Sequence, residues 1–333
     1  MDFWAKKKVT ITGGAGFIGS HLAQNLVDSG SYVKVVDNLE RGNIEYIQPF
    51  LDDIEFIKGD IRIINTCYDV CDGADIVIHL ASKVGGIGYY LQKPGEIITH
   101  NMKMDSNMIQ AVLEKEVDKF FYASSAHVYP IHLQQRLDSE AIKEDQVLPA
   151  NPELSYGWAK LLAEKQLEYL SKDGVSTKFA IARFIGIYGT NQDIGLDTGS
   201  VIPVFCRRAA EYPKNKPFII WGTGRETRSY CFIDDAIDCI KRMVKKLDFE
   251  PLVGPYNVGK EEKISIIESA EKIIHISSKK IDIEFDHTKN TLIWEQWCDC
   301  SKAMQELDGW HASTPFEIGL KHVYDHVNKR IKE

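Results

Sequence analysis

The chain has 333 residues, 44% of them hydrophobic, and 48 acidic against 40 basic side chains leave a formal net charge of −8. That length can bury a core for two lobes, the acidic balance argues against nonspecific nucleic-acid binding, and no run approaches the roughly 20 apolar residues of a membrane span. The segment Met1–Lys8 lacks the apolar stretch of a secretion signal, and seven scattered cysteines without a double CxxC point to unpaired thiols, no metal site and a reduced, cytoplasmic setting.

In chain order, a strand near 8–12 runs into Thr12-Gly13-Gly14-Ala15-Gly16-Phe17-Ile18-Gly19, which opens a helix with Ile18, Leu22, Leu26 and Val27 at helical spacing. Such glycines let the chain turn sharply, approach a pyrophosphate and pack helix on strand, while the helix N-terminus offers free N–H groups to the anion. A second strand near 32–37 ends at Asp37, 18 residues beyond Gly19. A carboxylate there accepts from ribose hydroxyls and repels a 2′-phosphate, which favours NAD over NADP. The glycines fit two templates, Gly14/Gly16/Gly19 and Gly13/Gly16/Gly19, and only a later motif separates them.

Further strands are expected near 55–58, 75–80, 119–124 and 178–184 with helices between, the pattern of an α/β Rossmann-type doubly wound parallel sheet. Gly59-Asp60-Ile61 follows the third strand and would set Asp60 and Ile61 near the adenine. The polar stretch from Pro130 to Glu153 is long for a loop, fitting either a cover over a ligand or a solvated insertion. A Gly/Asp loop over 190–199 precedes a helix starting near Val201, and strand 229–233 with helix 234–247 rejoins the first lobe. Ser265-Ile266-Ile267-Glu268 reads as a capping box. The domains are therefore expected as 1–186 with 229–258, which binds NAD, and a smaller discontinuous α/β lobe of 187–228 with 259–333.

Tyr156 and Lys160, four apart on one helical face, decide the chemistry. A phenol with a pKa of about 10 is a poor base at neutral pH, and a nearby ammonium together with a positive nicotinamide ring brings the phenolate closer to working range. Tyr156 would take the hydroxyl proton of an alcohol as hydride leaves its carbon, and Ser125 would hydrogen-bond the same hydroxyl.

At these residues the chain resembles the extended short-chain dehydrogenase/reductases of the nucleotide-sugar epimerase and dehydratase type, over nearly its whole length. Supporting strings are Ile78-His79-Leu80-Ala81, Asn101, Arg183-Phe184, Tyr188-Gly189, Trp221-Gly222-Thr223-Gly224 with Arg228, Phe232-Ile233-Asp234-Asp235, Tyr256-Asn257-Val258-Gly259 and Asp299-Cys300-Ser301-Lys302. Val84-Gly85-Gly86-Ile87-Gly88 and Ser124-Ser125-Ala126-His127-Val128-Tyr129-Pro130 are most similar to the branch holding GDP-mannose 3,5-epimerases and GDP-fucose synthases. The resemblance implies NAD held at Gly13, Gly16, Phe17, Ile18, Gly19, Asp37, Asp60, Ile61, Leu80, Ala81, Tyr156 and Lys160. It implies a nucleoside-diphosphate sugar held at Gly85, Gly86, Ser125, Arg207 and Arg228, with Arg228 on the diphosphate. It also implies a homodimer paired through the helices bearing Asn101 and Tyr156.

Four departures stand out. His127 replaces the branch's cysteine of an extra acid/base pair, and Ser200 replaces its lysine or histidine partner; Gly186 replaces a substrate-contacting asparagine, and an arginine upstream of Asp299 is missing. His127 can titrate near neutrality and so can serve as a catalytic group or as a spacer beside the sugar. Ser200 is a poor proton-transfer partner, which disfavours 3,5-epimerisation and leaves epimerisation at C4 through a keto-sugar as the expected reaction. The alternatives are a dehydrogenase or reductase with net NADH turnover, and a degenerate NAD-binding protein.

Overall fold

A computed structural model describes residues 3–85, 93–214, 217–289 and 293–332; Gly86 falls outside these. Seven parallel strands form the main sheet, in the order β11-β6-β5-β4-β1-β2-β3. They are β1 (Lys8–Thr12), β2 (Tyr32–Asp37), β3 (Ile54–Lys58), β4 (Ile76–His79), β5 (Lys119–Ser125), β6 (Lys178–Phe184) and β11 (Leu252–Val258). Six of them lie where the sequence places them. Strand order reverses between β1 and β4, the place where open α/β sheets bind ligands beyond their carboxyl ends.

Period-two alternation decides which side chains go to which face of this sheet. On β5, Phe121 and Ala123 join the core on one side, and Phe120 and Tyr122 join the core on the other. On β6, Ala180 and Ala182 oppose Phe179 and Ile181 in the same way. Strands buried on both faces need apolar residues at nearly every position, which is why β4 reads Ile-Val-Ile-His without a break. Helices α2 (Ile64–Cys71), α3 (Pro94–Glu114) and α4 (Ser155–Lys172) cover the Phe120/Tyr122 face. Helices α1 (Phe17–Asp28) and α6 (Ile233–Lys246) lie on the opposite face.

Smaller sheets follow: β7 (Ile187–Tyr188) with β10 (Cys231–Phe232), β8 (Phe218–Trp221) with β13 (Ile283–Asp286), and β9 (Thr227–Arg228) between β12 (Ile264–Ser265) and β14 (Glu295–Gln296). Helices α5 (Val201–Glu211), α7 (Ile266–Ser277), α8 (Ser301–Glu306) and α9 (Phe316–Lys332) complete the chain. One apolar cluster runs from Val9 and Ile11 through Tyr188 and Phe232 to Phe205, Phe218 and Leu320, so both parts share a continuous core.

The expected strand over 229–233 shortens to β10, with β9 just before the expected range. β9 and β10 pair with different partners, and the chain turns between them at Ser229, whose buried amide donates to Gln296 O at 2.9 Å. Gly186 explains itself here: its φ is +58°, and a Cβ would sit 1.8 Å from Ser229 O. No side chain fits where these segments cross, so an asparagine is excluded by packing. Half of the expected capping box forms: Ser265 Oγ accepts from Glu268 N at 3.1 Å, while the Glu268 carboxylate turns to Lys272 Nζ at 3.4 Å.

The 130–153 stretch is stapled down at several points while many of its side chains stay exposed. Ile142 N donates to Trp297 O at 3.2 Å, Ser139 N and Oγ both donate to Glu295 at 2.7 Å, and Arg183 Nη1 reaches Glu144 O at 2.8 Å. All seven cysteines are free and buried. Among the described residues no helix is long and apolar enough to cross a membrane.

Candidate active site

A cleft of about 520 Å³ opens at the carboxyl ends of β1, β2 and β4. Gly13, Gly16, Phe17, Ile18, Gly19, Asp37, Asp60, Ile61, Leu80, Ala81 and Gly85 all line it, which brings together residues up to 72 positions apart. Gly19 is tight against the loop that precedes it: a Cβ there would lie 2.2 Å from Gly13 O. The N-terminus of α1 therefore stays close to the turn, with its amides directed to the cleft as an anion site.

Asp37 ends β2 facing this loop. Its Oδ2 accepts from Ala15 N at 3.1 Å and its Oδ1 from Leu39 N at 2.8 Å, so two amides fix the carboxylate. Burial pushes its pKa up, and those amides oppose the rise. Asp60 is clamped instead by Arg62, whose Nε lies 2.9 Å from both carboxylate oxygens, and this pairing lowers its pKa to about 2. The rim carries a network that sequence reading missed: Lys83 Nζ bridges Glu40 at 2.8 Å and Glu96 at 2.9 Å, and Arg41 Nη2 meets Asp193 at 3.1 Å across the cleft. These partners are 43, 13 and 152 residues apart, and no local spacing announces them.

A cleft of this shape, with a glycine loop, a helix N-terminus and a fixed acid at the second strand, fits NAD. The cleft wall reaches Ala123, two residues before Ser125 on β5. Ser125 Oγ accepts the His127 amide at 3.3 Å. Tyr156 starts α4, is 7% exposed, and meets the His127 ring edge to face with centroids 5.9 Å apart. Lys160, one turn on, is 1% exposed; its Nζ lies 5.8 Å from the Tyr156 ring centroid and 4.5 Å from that of Tyr122.

Behind Lys160 is a buried polar chain. Thr12 Oγ1 lies 2.7 Å from His79 Nδ1 and accepts the Ala81 amide at 3.3 Å. Its single proton then goes to Nδ1, so the ring proton of the neutral His79 is on Nε2, 3.0 Å from Asp105 Oδ1. Burial lowers the His79 pKa, in keeping with a neutral ring. Tyr122 OH donates to the other Asp105 oxygen at 2.8 Å, and Lys160 Nζ lies 3.9 Å from Oδ1. Burial lowers the Lys160 pKa, while Asp105 and Glu164 pull it back up.

His127 is driven down to about 4 by burial and then by the Arg228 charge, so it is neutral at pH 7. Arg228 donates to Thr227 O at 2.7 Å and Ile293 O at 3.1 Å, and it acts electrostatically on His127 and on Glu153. Arg207 turns away, its Nε on Glu211 at 3.0 Å and its Nη1 on Ile194 O at 3.1 Å, and it does not line the cleft. The reason is helical spacing, since Glu211 is one turn further along α5 and satisfies the guanidinium locally. Ser200 lies at the N-cap of α5 and lines the cleft, its Oγ accepting from Gln192 Nε2 at 3.3 Å.

Comparison with known proteins agrees with this geometry. Residues 9–259 match the NAD dependent epimerase/dehydratase family. GDP-mannose 3,5-epimerase of Arabidopsis thaliana is 31% identical over 335 residues, covering 100% of this chain and 85% of the relative. UDP-N-acetyl-alpha-D-glucosaminuronate decarboxylase of Bacillus cytotoxicus is 31% identical over 325 residues, covering 95% and 96%. A crystal structure of UDP-glucuronic acid 4-epimerase from Bacillus cereus, in complex with UDP-glucuronic acid and NAD, superposes with a TM-score of 0.82 at 26% identity, covering 97% and 99%. With a glycine loop and Asp37 on one cleft and a buried Tyr/Lys pair on the neighbouring helix α4, this chain is an NAD-dependent enzyme, an extended short-chain dehydrogenase/reductase that belongs to the NAD dependent epimerase/dehydratase family.

Proposed function

We propose that the protein is a nucleotide-sugar epimerase that oxidises a ring hydroxyl at C4 of a nucleoside-diphosphate sugar, inverts that centre through a keto-sugar, and reduces it again. The observation that carries the reading is the buried Lys160 beside Tyr156 and one strand end from Ser125, next to the cofactor cleft. NAD, when bound, would supply a reversible hydride acceptor at that ring carbon.

Tyr156 takes the hydroxyl proton and later gives it back, Ser125 holds the same oxygen, and the Lys160 ammonium favours the phenolate. In this reading Arg228 supports the diphosphate end with its charge, and Gly85, which lines the cleft, is a sugar contact. C4 inversion needs the keto-sugar to turn over and take hydride on its other face, with no second proton-transfer pair. Ser200, held by Gln192 at the N-cap of α5 and a poor proton-transfer group, fits that economy. Neutral His127 then serves as a hydrogen-bonding wall next to Tyr156 rather than as an imidazolium donor. A GDP-sugar is the first substrate to try, given the likeness to a GDP-mannose epimerase.

The test is incubation of the purified protein and its cofactor with GDP- and UDP-sugars, following NADH absorbance while NMR resolves the sugars. A new C4 epimer without net NADH supports the reading. NADH accumulating with a keto-sugar, or inversion at C3 and C5, overturns it.

A further inference from the structure

We propose that Asp105 is a positioning residue that keeps Lys160 in its ammonium form for Tyr156 and, through His79 and Thr12, ties that ammonium to the cofactor-binding loop. The inference rests on reading Tyr156 and Lys160 as the proton-transfer pair.

The argument begins with charge. Lys160 is 1% exposed, and a lysine taken out of water without a counter-ion gives up its proton. Glu164, one turn along α4, is committed elsewhere: it pairs with Arg183 Nη2 at 2.7 Å and takes the Ser124 hydroxyl. Among the described residues, Asp105 is the one carboxylate within 4 Å of Lys160, at 3.9 Å. The need runs both ways. Asp105 is 2% exposed and has two neutral donors, His79 Nε2 on one oxygen and Tyr122 OH on the other, neither of which balances a charge. A carboxylate adds a full negative charge, and buried charges persist when paired. Lys160 supplies the pairing.

Geometry adds the second half. Thr12 closes β1 directly before Gly13, its hydroxyl holds His79, and its carbonyl and hydroxyl receive the Leu80 and Ala81 amides at 3.2 and 3.3 Å. Four elements thus converge on Asp105: β1 through Thr12, β4 through His79, β5 through Tyr122 and α4 through Lys160. The groups facing Lys160 are Asp105, His79, Tyr122, Tyr156 and Glu164, of which Asp105 and Glu164 raise its pKa.

The test uses the NAD-loaded protein and needs no substrate. Tyr156 is titrated by its ultraviolet phenolate absorbance, with Tyr156→Phe as the blank, in the parent and in Asp105→Asn. Two effects oppose each other. Loss of the Asp105 charge alone would lower the Tyr156 midpoint, whereas loss of the Lys160 proton raises it. The expected result is an upward shift of about one pH unit or more, a tenfold change in the ionisation constant. In the Lys160→Met background the same change should produce no upward shift, because the route through lysine is gone. Asp105→Ser is a second uncharged variant that avoids overpacking should the amide misfold. A midpoint that falls or stays put would show that Lys160 keeps its proton unaided and would overturn the proposal. A parent titration identical to the Tyr156→Phe blank would overturn the Tyr156 assignment itself, and the inference with it.

Discussion

His127 and Tyr156 stand edge to face, ring centroids 5.9 Å apart and planes at 77°, so a largely desolvated imidazole forms one wall of the proposed proton-transfer site. Burial and Arg228 hold its pKa at about 4 against an unfolded value of 6.5. The unfolded chain therefore binds more protons between these values, and stability rises with pH across the window. The contribution is fully present above pH 6.5 and lost as pH falls through 4. Its size is about 3 kcal/mol, from 1.36 kcal/mol per pKa unit. Thermal melts of the parent and of His127→Asn between these pH values should diverge, the parent losing more stability on acidification. Parallel curves would refute a neutral buried His127.

Tyr156→Phe removes one oxygen from a ring that is already packed. Its fold and NAD content should be nearly those of the parent, while turnover falls by about 10² to 10⁴, the usual worth of a positioned acid or base. Rapid kinetics with whichever nucleotide sugar the parent converts would measure it. Retention of more than a tenth of the parent rate would move the proton-transfer role to another group.

What the chain discloses before folding is what lies close in sequence. The glycine loop, the Asp37 that ends β2 and the Tyr156/Lys160 pair each sit within one strand–turn–helix unit, and each is found where spacing puts it. The strands β5 and β6 were equally readable as near-continuous apolar runs, because a fully buried strand tolerates few polar residues. The support of the site was not readable. Thr12, His79, Asp105 and Lys160 are spread over four elements, and Asp105 looks like any polar residue of a helix until strand order reveals which face it occupies. Arg207 misled for the converse reason: a basic residue near the right motif is paired one turn away on its own helix. Gly186 was legible only as a departure, since the crossing of Ser229 that requires it is a tertiary fact.

On the proposed reading Asp37 sets the cofactor preference. Its carboxylate is fixed by the Ala15 and Leu39 amides at 3.1 and 2.8 Å, and the second lone pair of each oxygen remains available to a ribose hydroxyl. Hydrogen bonds to a charged group contribute about 1.5–3 kcal/mol. Asp37→Asn should therefore weaken NAD binding by roughly 10- to 100-fold and narrow the preference over NADP. Fluorescence titration of the cofactor-free protein with each dinucleotide checks both. Unchanged NAD affinity would place the adenosine ribose elsewhere.

The outer faces of α3 and α4 expose a stripe of large apolar side chains: Met102 at 39%, Trp158 at 44%, Leu162 at 53% and Tyr169 at 64%. Trp158, Leu162 and Tyr169 are spaced by four and seven, so they share one side of α4, away from the buried Tyr156 and Lys160. A contiguous exposed apolar patch of this kind marks a protein contact. The two helices pack against each other, and a second copy presenting the same stripe would cover both sets at once, as a two-fold interface requires. The protein should sediment as a homodimer. Trp158→Glu combined with Leu162→Glu places like charges on the stripe, which repel across a two-fold contact, and should yield monomers that still carry NAD, because neither side chain lines the cofactor cleft. A parent that sediments as a monomer at micromolar concentration would dismiss the interface. A dimer that survives both charges would move it to another face.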